Sequence, residues 1–258
     1  MDIHFSSHLR IKIMTNGVFP ILYKNPQALN PEQHGQLSLH PEIGFGFARE
    51  TNSLPLVIEE FSVACRDYVI VFTTGDTAMP LAVLGMNPDH NAYVQADGHW
   101  AANTYIPAYV RRYPFIFAEN EGSNDLTLCV DFDSKWVVPG QTLAFFDEQG
   151  IKTTVTDQAL EFCKRFHIQM QQTREFSEAL QAADILVDQH ANITLENGET
   201  LSLSGFRIID EHKLRQLPAK TLQKFVASGW MGLIYAHLIS MGSMNKLANL
   251  LKANPKMA

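Results

Sequence analysis

The densest group of chemically useful side chains lies in the segment WAANTYIPAYVRRYPFIF, which begins at residue 100. It places aromatic rings and two guanidinium groups around two prolines: Trp100, Tyr105, Tyr109, Arg111, Arg112 and Tyr113. Rings beside guanidinium groups bind planar or anionic ligands, because they combine stacking with paired hydrogen bonds. The segment is therefore predicted to line a ligand or partner site. The alternative is structural, with both arginines paired to acids.

The spacing within this segment predicts a short helix, because Pro107 fits a first helical turn and Pro114 must end the helix. Three side chains would then share one side of it, at positions i, i+4 and i+7: Tyr105, Tyr109 and Arg112. We therefore expect Arg112 to face the ligand and Arg111 to have a structural role.

A second pattern, His40-Pro-Glu42, resembles the start of a site that binds iron through two histidines and one carboxylate. The third ligand would be His90, His99 or His167. The proline favours a turn instead of the strand that usually presents such ligands. A chain with ten histidines also contains such a pair by chance. We expect no bound metal.

Several motifs of known chemistry are missing from the sequence. It contains no phosphate-binding P-loop, no Gly-x-Gly-x-x-Gly, no Gly-x-Ser-x-Gly and no paired Cys or His zinc motif. We therefore predict no cofactor. Three widely spaced cysteines with apolar neighbours, Cys65, Cys129 and Cys163, predict buried thiols in an intracellular protein.

The charge distribution excludes one class of partner. The net charge is −7, from 20 Lys and Arg against 27 Asp and Glu. Residues 14–150 hold 6 basic and 16 acidic side chains, a net of −10, and residues 151–258 hold 12 and 10, a net of +2. Because phosphate contacts dominate the affinity for nucleic acid, its binding proteins present a basic stripe. The amino-terminal half would repel phosphates, so no nucleic-acid partner is expected.

The most apolar stretch is GWMGLIYAHLISMG, Gly229–Gly242. A membrane-spanning helix needs about 20 residues, so this stretch predicts a helix that is buried in the core or at a contact between copies. A homo-oligomer formed through Trp230–Met241 is one assembly it allows. Residues 1–13 lack the apolar core of a signal peptide and are interpreted as an extension or tail. The expected location is the cytoplasm.

The periodicity predicts an α+β fold in a single domain over residues 14–258. Strands are expected between about residues 54 and 146, where β-branched and aromatic runs follow one another through short turns: Tyr68–Thr74, Met79–Gly85, Phe115–Ala118, Leu126–Asp131 and Leu143–Phe146. The connections are too short for parallel crossovers, so the sheet should be mainly antiparallel. Helices are expected from about residue 154, at Glu211–Ala227 and at Trp230–Leu251, packed on the sheet.

A hairpin is predicted at 193–209, around Asn197-Gly198. A two-residue loop would place its leucines on opposite faces, whereas the three-residue loop 196–198 pairs Ile193 with Leu201 and keeps one apolar face. We favour the three-residue loop, with Gly198 in the left-handed conformation.

Several segments of the chain resemble the SapC family of bacterial proteins. They are LNPEQH (29–34), TNSLP (51–55), Tyr68 with VFT (71–73), YIPAYVRRYPF (105–115), LSLSGF (201–206) and the segment 230–238. They span about Met14 to Leu247, nearly the whole chain. Similar members often sit beside flavin-dependent tryptophan-halogenase-like proteins and outer-membrane receptors for nutrients, so the resemblance implies a partner of that kind. No set of catalytic residues comes with the family.

Three functions follow from these observations. The first is a cytoplasmic binding or accessory protein with a small-molecule or protein partner, such as a flavin-dependent enzyme or a nutrient-uptake system. The second is an enzyme with its site on the segment Tyr105–Tyr113. The third is a surface-layer component, the context from which the family takes its name. A pocket that converges on Arg111 or Arg112 would favour the enzyme.

Overall fold

The computed structural model of the chain describes residues 11–12, 19–120, 125–140, 142–194 and 198–253. These residues form two compact units. The first unit takes the described residues up to Ile43 and those of 111–167, and the second takes those of 44–110 and those from Ile168 onward. Each unit is therefore assembled from segments that lie far apart in the sequence.

Strands and helices are numbered along the chain. The strands are β1 (Ile11–Lys12), β2 (Pro26–Ala28), β3 (Leu37–Leu39), β4 (Ser53–Pro55), β5 (Val69–Thr73), β6 (Pro80–Val83), β7 (Phe115–Asn120), β8 (Leu126–Asp131), β9 (Val137–Pro139), β10 (Leu186–Thr194) and β11 (Thr200–Ile209). The helices are α1 (Pro31–His34), α2 (Phe61–Ala64), α3 (Ala108–Arg111), α4 (Thr154–Ala182), α5 (Glu211–Arg215), α6 (Ala219–Ala227), α7 (Trp230–Ser240) and α8 (Met244–Ala253). Short 3₁₀ turns occupy Gly46–Ala48, Ile58–Glu60 and Met241–Ser243.

The first unit contains an antiparallel sheet with strand order β1-β7-β8-β2. β7 and β8 form its centre, with Phe115 opposite Val130. A separate antiparallel pair joins β3 and β9. Apolar side chains from these strands pack with the first half of α4 in one cluster: Leu29, Phe115, Leu128, Val130, Phe145, Phe146, Ala159 and Cys163. Burial of each larger side chain contributes roughly 1.5–3 kcal/mol, which makes this cluster the core of the unit.

The second unit contains an antiparallel sheet with strand order β10-β11-β5-β6-β4. The central strand β5 buries every side chain except the partly buried Thr73, as expected for a strand covered on both faces. Fully buried rings of Phe61 and Phe72 pack against Phe176 in the second half of α4, with centroids 6.0 and 6.5 Å apart. The core of this unit is therefore largely aromatic.

The predicted hairpin is confirmed in its register. Ile193 lies opposite Leu201 and Thr194 opposite Thr200, and Gly198 has a φ of +84°. The strands extend further than predicted, from Leu186 to Ile209, with a bulge between Gln189 and Ala191. β11 also pairs with β5, with Phe206 opposite Thr73 and Arg207 opposite Phe72.

The carboxy-terminal helices are more divided than predicted. Pro218 separates α5 from α6, because a proline lacks the N–H group that a continuous helix would need. The expected break near Gly229 is confirmed, with a φ of +72°. The predicted helix Trp230–Leu251 is interrupted by the 3₁₀ turn Met241–Ser243.

The α+β prediction is confirmed, and so are the antiparallel pairings. The strands between residues 54 and 146 divide between different sheets, because β7 and β8 pair with β1 and β2 while β5 pairs with β11. The predicted strand Leu143–Phe146 is wrong. It makes only two isolated bridges, Ala144 with Ser38 of β3 and Phe146 with Lys152, although its backbone also bonds to Leu37 and Leu39 of β3. The single domain over 14–258 stays a prediction.

Candidate functional site

Trp100 and Tyr105 lie in the second unit, where a chain of hydrogen bonds connects them. Nε1 of the buried Trp100 donates to the hydroxyl of Tyr68 at 3.0 Å, and that hydroxyl donates to the backbone carbonyl of Tyr105. Trp100 also stacks on Tyr93, with ring centroids 6.2 Å apart. Burial raises the pKa of Tyr68 and of Tyr93, so both remain protonated donors at neutral pH.

Two buried acids hold the same segment. Oε1 of Glu60 accepts from the hydroxyl of Tyr105 at 2.9 Å and from the backbone N–H of Ala108 at 2.6 Å. Oε2 of Glu60 accepts from the backbone N–H of Val57 at 3.0 Å. Oδ2 of Asp67 accepts from the backbone N–H of Tyr105 at 2.7 Å. Tyr105 is thus held by hydrogen bonds at its N–H, its carbonyl and its hydroxyl. The bonds to the carboxylates of Asp67 and Glu60 are charge-assisted.

Helix α3 is shorter than the predicted helix, so the predicted common face is wrong. The helix spans Ala108–Arg111, which leaves Tyr105 before it and Arg112 after it. The hydroxyl of Thr104 donates to the carbonyl three residues earlier. The first N–H group of the helix, that of Ala108, donates to the carboxylate of Glu60. A carboxylate from a distant segment therefore sets where this helix begins.

Arg111 and Arg112 lie in the first unit, where their guanidinium groups sit over phenylalanines of α4. Arg111 is exposed and lies 5.5 Å from the ring centroid of Phe162. Arg112 is half-buried and lies 4.3 Å from the ring centroid of Phe166 and 5.5 Å from that of Tyr23. The two phenylalanines are one helical turn apart. Consecutive arginines therefore stack on consecutive turns of one helix, a cation–π arrangement that suits the planar guanidinium.

Tyr113 is buried beside the fully buried Asp131 of β8. The hydroxyl of Tyr113 donates to Oδ2 of Asp131 at 3.2 Å, and its ring lies 5.4 Å from that of Tyr23. Asp131 also accepts from the backbone N–H groups of Lys24 and Asn25, at 3.0 and 2.8 Å. Burial, together with the charge of Asp131, raises the pKa of Tyr113 to about 12. Tyr113 therefore acts as a hydrogen-bond donor and not as a base at neutral pH.

The predicted site residues thus fall into two groups of three. Trp100, Tyr105 and Tyr109 belong to the second unit, and Arg111, Arg112 and Tyr113 belong to the first. Tyr68 links Trp100 to Tyr105, and Tyr23 lies against both Arg112 and Tyr113. Three of the six side chains are at least nine-tenths buried: Trp100, Tyr109 and Tyr113. A ligand site on these residues stays a prediction.

Sequence reasoning missed the residues that hold the segment in place: Tyr23, Glu60, Asp67, Tyr68 and Phe166. Glu60 and Asp67 flank the short apolar run FSVAC, which is a weak sign that such acids are buried. No spacing rule relates them to residues some forty positions away. Only the fold brings these groups within hydrogen-bonding distance.

His40 makes a local turn with Glu42. The backbone N–H of Glu42 donates to Nδ1 of His40 at 3.1 Å, and the carboxylate of Glu42 is exposed. Within residues 19–120, 125–140, 142–194 and 198–253, no three His, Cys, Asp or Glu side chains come together as metal ligands would. The chain bends at Pro41 and Glu42 and forms no strand there, as the proline predicts.

The three cysteines are free thiols and are buried, as predicted. Burial raises the pKa of Cys129 to about 12 and that of Cys163 to about 11. Because the thiolate is the nucleophile, these two protonated thiols are unreactive at neutral pH.

An open cleft of about 520 Å³ lies in the first unit, between α1 and the turn at 147–150. Its lining residues are Pro31, Glu32, Gly35, Gln36, Asp147, Glu148, Gln149 and Gly150. Oδ1 of Asp147 is already engaged, since it accepts from the backbone N–H groups of Gln149 and Ile151 at 2.9 Å. The cleft is acidic, and none of the six predicted site residues lines it.

Helix α7 is apolar on nearly every side, but only one side of it is buried within the chain. Ile234 and His237 are fully buried, whereas the side chains of Tyr235 and Ile239 are 49% and 66% exposed. Met231, Tyr235 and Ile239 follow one another at intervals of four residues and form the α7 face. The expectation that Trp230–Met241 is mostly buried therefore holds for one side of the helix in the single chain.

Among the described residues, no single helix has both the length and the apolar character to cross a membrane. The stretches Ala219–Ala227 and Trp230–Lys252 reach the required length and apolar character only when they are taken together. They are bent by 93° at the break between them.

Comparison with known proteins gives one result. The family model of SapC matches residues 29–247, which is most of the chain. No curated protein and no solved structure matches it. Since the match covers both compact units and includes the segment from Trp100 to Phe117, the chain belongs to the SapC family.

Proposed function

We propose that this SapC-family chain is a cytoplasmic accessory protein that binds a protein partner through the α7 face. The observation that carries the proposal is the exposure of Tyr235 and Ile239 on a helix whose other sides are apolar and packed. A soluble helix normally turns a polar side to water, so an apolar side left uncovered is typical of a surface that another molecule covers.

The residue types on this face support a protein partner. Tyrosine is enriched where proteins bind one another, because its ring buries a large apolar area and its hydroxyl still bonds to water or to the partner. Val226 of α6 is also 66% exposed, but it belongs to another helix and is not part of the α7 face. Large exposed apolar side chains elsewhere in the described chain are scattered singly: Ile21, Ile151 and Ile168.

A glycine in α7 supports the same interpretation. A Cβ added at Gly232 would meet no atom within 4 Å, so packing within the chain does not require a glycine there. Glycine inside a helix costs about 1 kcal/mol relative to alanine. A partner backbone that approaches α7 closely would explain why the position has no side chain.

The partner class comes from the family resemblance, which implies a flavin-dependent halogenase-like enzyme or a protein of nutrient uptake. The accessory protein would hold or present such a partner without a catalytic group of its own. A second copy of the chain, joined through Trp230–Met241, is the other protein that could cover the face.

Site-specific photo-cross-linking in the cells that make the protein tests the proposal. We place the photoreactive residue p-benzoylphenylalanine at Tyr235 and, as a matched control, at Ile151, which is 63% exposed in the first unit. We expect one protein to cross-link from position 235 and not from 151. Mass spectrometry then identifies the protein, and sedimentation of the purified chain shows whether it is a second copy.

The identified partner is purified and titrated with the chain. We expect Tyr235→Glu to weaken this binding at least about ten-fold, because a carboxylate would be buried in an apolar contact, and Ile151→Glu to leave it unchanged. Equal cross-linking from both positions, or no cross-link from 235, would contradict the proposal.

A further inference from the structure

Strand β10 is the outermost strand of the second unit's sheet and has a neighbouring strand on one side only. Among the described residues, its backbone bonds to β11 alone, apart from the N–H of His190, which donates to Oε1 of Gln189 at 3.0 Å. The extra residue of the bulge lies on β11, because Ser204 and Gly205 together face His190, so β10 itself is uninterrupted. β10 thus has an open edge nine residues long.

The other edge strands of the described chain are protected against pairing. All of them, β1, β2, β3, β4 and β9, are two or three residues long. Short length, lysine and proline are features by which proteins prevent sheet edges from pairing with other chains. The hairpin of β10 and β11 is long and contains neither Lys nor Pro from Leu186 to Ile209. Four of the five short strands contain one of these residues: Lys12, Pro26, Pro55 and Pro139.

The middle of β10 also lacks charged side chains. Between Asp188 and Glu196 the sequence is QHANITL, which contains no Asp, Glu, Lys or Arg. The exposed Asn192 bonds across the hairpin, where its Oδ1 accepts from the hydroxyl of Ser202 at 2.7 Å. Because like charges directly opposite each other destabilise a strand pair, an edge without them can pair with an identical edge.

We propose that β10 pairs antiparallel with β10 of a second copy, so that two five-stranded sheets join into one. The open N–H and C=O groups fit an extended chain, because a strand presents acceptors and donors at the matching spacing. Antiparallel pairing about a two-fold axis makes the same edge complementary to itself. With the axis at Ala191, Asp188 faces the second copy's Thr194, and no like charges meet there. This contact differs from the α7 face, so it does not rest on the proposed function.

Charge favours a second copy over the other occupants. A lipid surface or a nucleic acid would present phosphates to a strand that has Asp188 and no Lys or Arg. A strand of another protein satisfies the same backbone groups, but an uncharged edge has no side chain that selects a partner by charge. Every copy of this chain presents the identical edge, so self-pairing needs no such selection.

Sedimentation velocity of the full chain over a range of concentrations tests the inference. The test variant is Asn192→Lys, which places a charge in the middle of the open edge. Its matched control is Ser202→Lys. Both positions are exposed and face each other across the hairpin, and either change removes the same hydrogen bond, but only Asn192 lies on β10. Tyr235→Glu reports on the α7 face, and circular dichroism checks that each variant is folded.

We expect a concentration-dependent dimer from the wild type, Ser202→Lys and Tyr235→Glu. Asn192→Lys should raise the dissociation constant of the dimer at least about ten-fold, because it brings two lysines close together at the contact. A wild type that stays monomeric at every concentration, or equal effects of the two lysine variants, would overturn the inference. A dimer that is lost only in Tyr235→Glu would reject β10 and place the contact on the α7 face.

Single added cysteines locate the contact independently of the lysine variants, since the three native cysteines are buried. A disulfide needs Cα atoms within about 7 Å, so a residue bridges to its own copy only near the two-fold axis. After oxidation, we expect the yield of disulfide-linked dimer to be highest for Ala191→Cys and to fall on both sides, at positions 189 and 194. Ser202→Cys on β11 should give none. Equal yields at all positions, or the highest yield at 202, would contradict pairing through β10.

Discussion

Nζ of Lys246 lies 2.5 Å from Oδ1 of Asp67, so an ion pair joins α8 to the segment that precedes β5. The other carboxylate oxygen of Asp67 accepts from the backbone N–H of Tyr105. One buried acid therefore connects the end of the chain to the segment with the strongest sequence signal for a site. The Asp67 side chain is only 11% exposed, whereas that of Lys246 is 38% exposed, so the acid is the shielded partner of the pair.

We predict that Lys246→Met lowers the free energy of unfolding by about 1–3 kcal/mol, because it leaves the Asp67 carboxylate without its cation. Asp67→Asn should cost at least as much, since it also weakens the bond to Tyr105. Urea denaturation followed by circular dichroism measures both. Lys252→Met, at an exposed lysine of α8, is the control and should change little. If Lys252→Met lowered the free energy of unfolding equally, the stability would depend on the overall charge of α8 and not on the pair of Lys246 with Asp67.

Arg112 should contribute to stability through its stacking on Phe166. We predict that Arg112→Ala lowers the free energy of unfolding by about 1–2 kcal/mol, and that Arg112→Lys recovers only part of this, because an ammonium cannot stack as a guanidinium does. Arg111→Ala is the matched control, since the exposed Arg111 lies further from its phenylalanine. Thermal unfolding of the three variants measures the difference.

If Arg112 instead binds a ligand, as the sequence-based prediction has it, Arg112→Ala should have the opposite effect. In that case Arg112→Ala leaves unfolding unchanged and weakens binding of a planar anion, such as benzoate, by about 1–3 kcal/mol. Calorimetric titration of the wild type and Arg112→Ala with benzoate separates the two roles.

His237 should make the protein sensitive to acid. Burial lowers its pKa to about 4, and its Nε2 accepts from the backbone N–H of Ile209 at 3.0 Å. The groups against its ring do not ionise, since they are Phe72 and the backbone of Ile70 and Ile209. The unfolded chain binds a proton near the ordinary pKa of 6.5. The stabilisation is therefore complete above pH 6.5 and is lost as the pH falls toward 4.

Measurements of unfolding free energy between pH 7 and pH 4 check this sign. We predict that His237→Gln has a lower free energy of unfolding than the wild type at pH 7. Between pH 6.5 and pH 4, its free energy of unfolding should change less steeply with pH, by up to about 1.4 kcal/mol per pH unit. His212→Gln, at an exposed histidine of α5, should follow the wild type. The prediction would be contradicted if the free energies of unfolding of His237→Gln and of the wild type changed equally with pH.

The chain should unfold as one cooperative domain, although its contacts divide into two units. The tryptophans report on each unit separately, because Trp136 lies in the first and Trp100 and Trp230 lie in the second. We predict that urea unfolding has the same midpoint in Trp136→Phe and in the double variant Trp100→Phe/Trp230→Phe, with fluorescence as the signal. Two distinct midpoints would show two domains.

Local patterns predict the short-range features of this fold. The Ile193–Leu201 register follows from the apolar pattern on the two strands, and Gly198 is left-handed as predicted, whereas residues 195–197 of the loop lie outside the described residues. The strands at Val69–Thr73 and Leu126–Asp131 follow from runs of β-branched and aromatic residues. These features depend on residues that are neighbours in the sequence, so their physical causes can be read from it.

The site segment shows where such prediction ends. Its composition indicates stacking and anion binding, but the start of α3 depends on Glu60, nearly fifty residues earlier. The same holds for the partners of Arg112, since Tyr23 and Phe166 come from opposite ends of the first unit's sequence. A side chain's partner over such distances is chosen by the packing of the whole chain, and no periodicity encodes it.

The fold class, the hairpin register and the family follow from the amino-acid sequence alone. The exposed side of α7, by contrast, is set by tertiary packing. The physical reason is that α7 is apolar on nearly every side, so its sequence does not distinguish a buried face from an exposed one. That distinction depends on which surfaces α2, β5 and β11 cover.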